Sequence, residues 1–294
     1  MSKKLAIIVP YRDREEHLEK FIPAIEEHLS KTDIDYQIWI IEQGNNTHFN
    51  KGRLMNAGFD LTSESFDYFC FHDVDLLPES SWEVGPENYN PPNEVAHLSK
   101  YVQQYGYRPQ EPFQFIGGVA LFTKDAFTRI NGYSGGYWHW GAEDSDVYWR
   151  TQQRGIGVEQ RRGKYISLPH KKRHGYSDPN DEPWGTKNMV RFGDVKRRAH
   201  HGEDVISGDG LSSTEYIVVG KRKWGRHVWV AIDFYDGEVE SFVYRKNWQN
   251  RSPFFFEKAQ ASTPFIGGRR AAIRESRDNP ERRFKKQRLS LRKD

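Results

Sequence analysis

The sequence predicts an α/β protein built on a parallel sheet, and three observations carry that prediction. Strand-like and helix-like stretches alternate through the first 75 residues, the pattern of a sheet wound with crossover helices. The strand-like stretches are apolar runs of the kind that lie buried in such sheets. Polar and charged residues gather just past their carboxyl ends, where ligands bind in open α/β sheets.

The elements follow in order. "KLAIIVPY" reads as a buried strand, and the amphipathic "REEHLEKFIPAIEEHLSK" after it as a helix interrupted by Pro23. "YQIWIIEQ" is a second strand, "NKGRLMNAGFDLTSE" a second helix and "YFCFHDVD" a third strand ending in acids. The strand ends of interest are therefore 10–14, 42–46 and 72–75. A loop-rich stretch, "PESSWEVGPENYNPPNEV", separates these from "FIGGVALFTKDAFTRINGY", a strand and a helix joined by turn glycines. "AEDSDVYWRTQQRG" is helical, with acids in the first turn where the macrodipole favours them and Gly155 as its stop. From residue 214 the chain alternates as a β meander with a "DG" turn. The expected division is 1–219 as the main domain, 220–267 as a β-rich extension and 268–294 as a basic flexible tail.

Charge is uneven along the 294 residues. The net charge is +3, but residues 268–294 hold eleven Lys or Arg against four Asp or Glu, so the tail is +7 and the remainder −4. Such a tail is a solvated end or a contact for anionic lipid. No apolar run approaches the roughly 20 residues needed to cross a bilayer, and no signal-peptide pattern opens the chain. The expectation is a cytoplasmic protein, peripheral on the inner membrane face if the tail binds lipid. The single cysteine, Cys70, lies in an apolar run and reads as a small buried hydrophobe.

Chemistry concentrates in "GYWHWGAEDSDVYWR", where three Trp, two Tyr and three acids share fifteen positions. Neither a core nor an open surface suits that mixture, because buried carboxylates need partners and exposed indoles waste apolar area. A cleft that stacks a sugar ring on indole and handles hydroxyls with carboxylates suits it. "DVD" at 73–75 offers carboxylate oxygen to a hard cation, with one Asp of the pair expected to meet it. "HKKRHG" offers imidazole, and "YRDR" offers guanidinium to phosphate through Arg12 and Arg14. The signatures of P-loop and dinucleotide-binding proteins are absent.

Taken in order, "IIVPYRDREEHL", "FNKGRLMNAGF", "FHDVDLLP", "FIGGVALFTKDAFTRINGY", "YWHWGAEDSD", "RH" and "DGLSSTEY" resemble the β-1,4-galactosyltransferase family, inverting glycosyltransferases of the GT-A fold. The likeness spans residues 4–219 and suggests a soluble bacterial or viral member. It implies a Mn²⁺-dependent enzyme, Mg²⁺ or another divalent ion also serving, that moves galactose or N-acetylgalactosamine from a UDP-sugar to a hydroxyl of an acceptor glycan, lipid-linked acceptors included. On the same footing Pro10, Tyr11, Arg12 and Arg14 match the nucleotide-binding turn, and Phe49 and Lys51 the segment against uridine and phosphates. Asp73 lies near the donor, Asp75 and His174 bind the metal, and Phe115 and Gly118 border the sugar. Trp140, Glu143, Arg191 and Phe192 meet the acceptor. Asp144 is the catalytic base, assisted by Glu143, and is expected to be ionised at neutral pH under the helix dipole and the nearby metal.

Three departures from the family pattern stand out. His139 replaces a glycine between the tryptophans, Phe115 stands where galactose-using members have Tyr, and Lys171 stands about where some members have a methionine ligand. Rival readings are a sugar-binding module without turnover and a nucleic-acid binder working through the basic tail; nucleic acid is not an expected partner.

Overall fold

The computed structural model describes residues 3–44, 48–79, 85–109, 113–169 and 184–234, and the backbone of 265–267. Its strands are β1 (Lys4–Tyr11), β2 (Asp35–Gln43), β3 (Tyr68–His72), β4 (Leu76–Pro78), β5 (Val95–His97), β6 (Tyr101–Val102), β7 (Val119–Thr123), β8 (Val158–Gln160), β9 (Lys164–Ser167), β10 (Tyr216–Trp224), β11 (His227–Phe234) and β12 (Phe265–Gly267). Its α-helices are α1 (Glu15–Leu29), α2 (Lys51–Thr62), α3 (Lys124–Arg129), α4 (Glu143–Gln153) and α5 (Trp184–His200).

Nine strands form one sheet in the order β12-β10-β11-β2-β1-β3-β7-β5-β8, and β4-β9-β6 form a small second sheet. The centre is parallel as expected: β1 lies between β2 and β3, and β11 adds a further parallel strand beside β2. The flanks are antiparallel, through β3 with β7, β7 with β5, and β10 with β11. The sheet is therefore mixed rather than wholly parallel. Only the strands joined by crossover helices are compelled to run in one direction.

Both faces are covered. Ala6 and Ile8 of β1 pack with Leu54, Met55 and Phe59 of α2 on one side, while Leu5, Ile7 and Val9 pack with Leu18, Phe21 and Ile25 of α1 on the other. Cys70 is fully buried in the second of these cores. That two-sided burial is why β1 reads as an unbroken apolar run rather than an alternation.

Two sequence expectations change. α1 runs unbroken through Pro23. The proline sits on the exposed face, so solvent can take the carbonyl that loses its partner, and burial of Phe21, Ile22 and Ile25 around it holds the helix together. The expected boundary at 219/220 falls inside β10, and the β10–β11 hairpin belongs to the main sheet. The "DG" turn, His170, Lys171, His174 and the tail 268–294 lie outside the described residues.

Candidate functional site

The site forms where β1, β2 and β3 end. At the end of β2, Gln43 is fully buried and its side chain accepts the Asn50 backbone N–H at 2.9 Å. Asn50 caps α2: its Oδ1 accepts from Arg53 N–H, and its Nδ2 donates to the Gly135 carbonyl at 2.9 Å. Capping starts the helix one residue later and so presents Lys51 from its first turn. Lys51 Nζ lies 3.1 Å from Asp73, 3.2 Å from Asp144 and 3.8 Å from Glu143. One ammonium thus faces three carboxylates, with only 13% of its side chain exposed.

The acids arrive from two directions. Asp73 and Asp75 follow β3. The Asp73 N–H donates to the Gly118 carbonyl at 2.9 Å, and the Asp75 carbonyl accepts from Leu168 at 2.8 Å. Glu143 and Asp144 open α4, whose N-cap is Ala142, so Asp144 occupies the first helical turn as the sequence predicts. Glu143 Oε2 accepts the Gly141 N–H at 3.1 Å, which keeps Glu143 folded back over its own helix start. Gly117 makes room for Asp144: a Cβ there would stand 2.5 Å from Asp144 Oδ2. Gly118 adopts φ +74°, a left-handed turn suited to glycine. The Gly117 carbonyl accepts from Ser99 Oγ at 2.6 Å and lies 2.9 Å from His97 Nε2, fixing the loop from behind.

Without metal or donor, the electrostatics of the cleft run against the ionised Asp144 that the loaded site implies. Burial pushes the Asp144 carboxyl up to about 8; Lys51 pulls it down, and Glu143 and Asp73 push it further up. The unloaded cleft thus favours a protonated Asp144 at neutral pH, because one ammonium does not balance three acids. Burial works against the charge on Lys51, but Asp144, Asp73 and Glu143 together hold its pKa well above the ordinary value.

The other expected residues divide between cleft and core. Arg12 lies over the Phe49 ring at 5.2 Å, joining the turn after β1 to the segment before α2. The carbonyl of Arg14 accepts the His17 and Leu18 N–H groups in the first turn of α1. Pro10, the penultimate residue of β1, lies in register with Ile41. Tyr11 is buried with its ring against Trp229 at 5.1 Å, so it packs in the core instead of lining the cleft. Phe115 packs beside His97 and Phe113. Trp140 is 76% exposed; its ring leans on Gly185, and Asn188 of α5 donates to both the Trp138 and Trp140 carbonyls.

Of the expected acceptor pair, Arg191 donates to Asp209 at 3.1 Å and lies over the Tyr137 ring, while Phe192 is buried with Tyr137 and Ala142. Phe192 therefore supports the tryptophan loop from beneath. Sequence reading gave Asp209 no role, although "DGLSS" drew notice. Its carboxylate accepts from Ser134 Oγ at 2.5 Å and Gly135 N–H at 2.9 Å as well as from Arg191. Partners 18 to 75 residues away leave no local signal for such a hub.

The carboxylate oxygens after β3 have the donor chemistry of a hard divalent cation. Among the described residues no group of three or more His, Cys, Asp or Glu is arranged to hold a metal ion, and His174, the expected imidazole partner, lies outside them. The same cleft is bordered by a small pocket whose wall includes Lys51, Met55, Phe71, Gly117 and Tyr133.

Comparison with known proteins identifies the family. Residues 1–84 match the N-terminal region of glycosyl transferase group 7, and residues 96–171 match the N-terminal domain of galactosyltransferase. Beta-1,4-galactosyltransferase 1 of Bos taurus is 33% identical over 236 residues, covering 78% of this chain and 54% of that protein. The chain thus spans about half the length of that relative. Among solved structures, the catalytic domain of Drosophila beta-1,4-galactosyltransferase 7 complexed with xylobiose is 27% identical with a TM-score of 0.63, covering 81% of this chain and 96% of that one. A variant of that enzyme complexed with manganese, UDP-Gal and xylobiose is 26% identical with a TM-score of 0.61, at the same coverage. The solved relatives share the GT-A sheet, and on these matches the chain belongs to the β-1,4-galactosyltransferase family of glycosyl transferase group 7.

Proposed function

We propose that this chain is a UDP-sugar-dependent glycosyltransferase that moves galactose to a hydroxyl of an acceptor glycan and forms a β linkage by a single displacement. The observation that carries the reading is the meeting of Asp144, Asp73 and Lys51 within 3.2 Å at the carboxyl edge of a GT-A sheet. The solved relative that holds manganese, UDP-Gal and xylobiose supports donor, acceptor class and metal. In this proposal Asp75 and His174 hold Mn²⁺, which neutralises charge on the departing diphosphate when bound.

The chain's own residues do the rest. Asp144 accepts the proton of the acceptor hydroxyl as that oxygen bonds to the anomeric carbon from the face opposite the leaving group. The anomeric bond to the diphosphate oxygen breaks in the same step, so an α-linked donor gives a β-linked product. Arg12, Arg14 and Phe49 hold the nucleotide, with Lys51 reaching its phosphates. Trp140 offers an open indole face to the acceptor ring, and Glu143 holds its hydroxyls. Arg191 reaches the acceptor from α5 while Phe192 backs it.

Phe115 lacks the phenolic hydroxyl of the tyrosine common at that position, so N-acetylgalactosamine is the competing donor sugar. The basic segment 268–294 is the proposed contact with anionic lipid, bringing a cytoplasmic enzyme to lipid-linked acceptors. Truncation at 267 should then reduce co-sedimentation with anionic vesicles.

The decisive experiment is transfer from a panel of UDP-sugars with Mn²⁺, read by product mass, for wild type and Asp144→Asn. The wild type should use UDP-galactose. The variant should retain UDP binding and lose about 10² to 10⁴-fold in rate, the usual contribution of a general base. Transfer at the wild-type rate by Asp144→Asn would refute the assignment of the base.

A further inference from the structure

Two imidazoles meet away from the acid cluster. His48 Nδ1 and His139 Nε2 stand 2.7 Å apart, joining segments 91 residues distant in sequence. His48 immediately precedes Phe49, Asn50 and Lys51; His139 lies between Trp138 and Trp140. The pair is braced from several sides. The His139 N–H donates to the Phe49 carbonyl at 2.7 Å. The Trp184 ring packs against His48 at 4.9 Å and His139 at 5.5 Å between centroids. His139 also holds φ +58°, a left-handed conformation that glycine adopts more readily. A side chain retained there at the expense of backbone strain is a reason to ask what it does.

Two imidazoles with facing nitrogens are a bidentate donor set. Burial, then His48 and Arg12, lower the His139 pKa to about 4, so its ring is neutral near pH 7. The facing nitrogens share one N–H. A cation can replace that proton once the donating ring moves its hydrogen to its outward nitrogen, a tautomer change that needs no net proton release. Metal–imidazole bonds of about 2.0–2.1 Å at a tetrahedral angle set the two nitrogens about 3.3 Å apart. The rings would open by a little over half an ångström.

We propose that His48 Nδ1 and His139 Nε2 form a second cation site, for a borderline transition-metal ion of the Zn²⁺, Ni²⁺ or Cu²⁺ class, with water completing the coordination. A pair of imidazoles favours these ions, whereas the Asp75 carboxylate of the proposed Mn²⁺ site favours harder ones. The two sites sort cations by ligand type. An ion between the rings ties the segment that leads into Lys51 to the loop that carries Trp140.

The test uses the full chain in excess Mg²⁺, so that the carboxylates are occupied, with Cu²⁺ followed by electron paramagnetic resonance and Zn²⁺ by calorimetry. Sub-stoichiometric Cu²⁺ should show coupling to imidazole nitrogen. His139→Gly relieves the positive φ and should fold normally, as a thermal melt checks. It and His48→Gln should each weaken Cu²⁺ and Zn²⁺ binding by at least about 10 to 100-fold, the loss expected for disturbing even the surroundings of a ligand. His174→Ala should leave this binding unchanged. Affinity unchanged in His139→Gly, no binding by the wild type, or dependence on His174 in place of His139 would each overturn the site.

Discussion

Lys51 brings one positive charge to three carboxylates, and the consequences can be read residue by residue. Lys51→Met leaves Asp73, Asp144 and Glu143 facing one another. Because the carboxylates keep some solvent, the loss should be about 1–3 kcal/mol, below that for breaking a fully buried pair. Urea denaturation measures it, and adding Asp144→Asn should recover part of the loss.

The Asp144 carboxyl has an ordinary value of 3.8 and rises to about 8 in the folded, unloaded protein. The native state therefore holds a proton that the unfolded chain has released. That contribution favours folding below pH 4 and is lost as pH rises from about 4 to about 8. Melting temperatures of wild type and Asp144→Asn across that window should show the wild type losing ground as pH increases. Asp144 itself was legible in "WHWGAED", where acids follow indoles at a helix start. Its protonation was not, since the dipole can be read from sequence but enclosure by Asp73, Glu143 and Gly117 cannot. Lys51 was legible as a cation for phosphate, but its place among carboxylates depends on Asp73 and Asp144, 22 and 93 residues away.

At the scale of elements, α4 depends on the loop before β7 as much as on its own sequence. The Ile116 N–H donates to the Asp144 carbonyl at 2.8 Å, so the loop and the helix start are tied by backbone as well as by packing. Gly117→Ala sets a methyl against Asp144 Oδ2. It should lower kcat by about 10²-fold through displacement of the base, with a stability cost of about 1–2 kcal/mol from overpacking. A rate assay beside a thermal melt separates the two effects. Helices α1 to α4 were legible because burial recurs at helical spacing, as in Leu18, Phe21, Ile22 and Ile25 of α1, whereas α5 was not anticipated. Pro23 misled because its cost depends on which face it occupies. The connection from Asp209 through Arg191 to α5 was hidden, since a charge pair formed in three dimensions has no period in sequence.

For the molecule as a whole, the decisive feature is the strand supplied late to the sheet. The first three strands and their parallel order followed from alternation with helices. The return of β11 to the edge of β2 did not, because a meander read locally gives no reason to join a distant strand. A chain ending at 219 lacks β11 and half of β10, so β2 is left with one unpaired edge. Unpaired edges recruit other strands. That truncation should elute as aggregate in size-exclusion chromatography, whereas one ending at 267 should elute as the intact chain does. The Trp229 indole N–H, on β11, donates to Glu42, on β2, across 187 residues of chain. At ribosomal rates of about 5–20 residues per second, β2 emerges roughly 10 to 40 seconds before its neighbour exists. Throughout that interval the nascent polypeptide has an open strand edge next to a finished hydrophobic layer, so its yield in the cell should depend on chaperone capacity and on the speed of translation more than on the final stability of the folded chain.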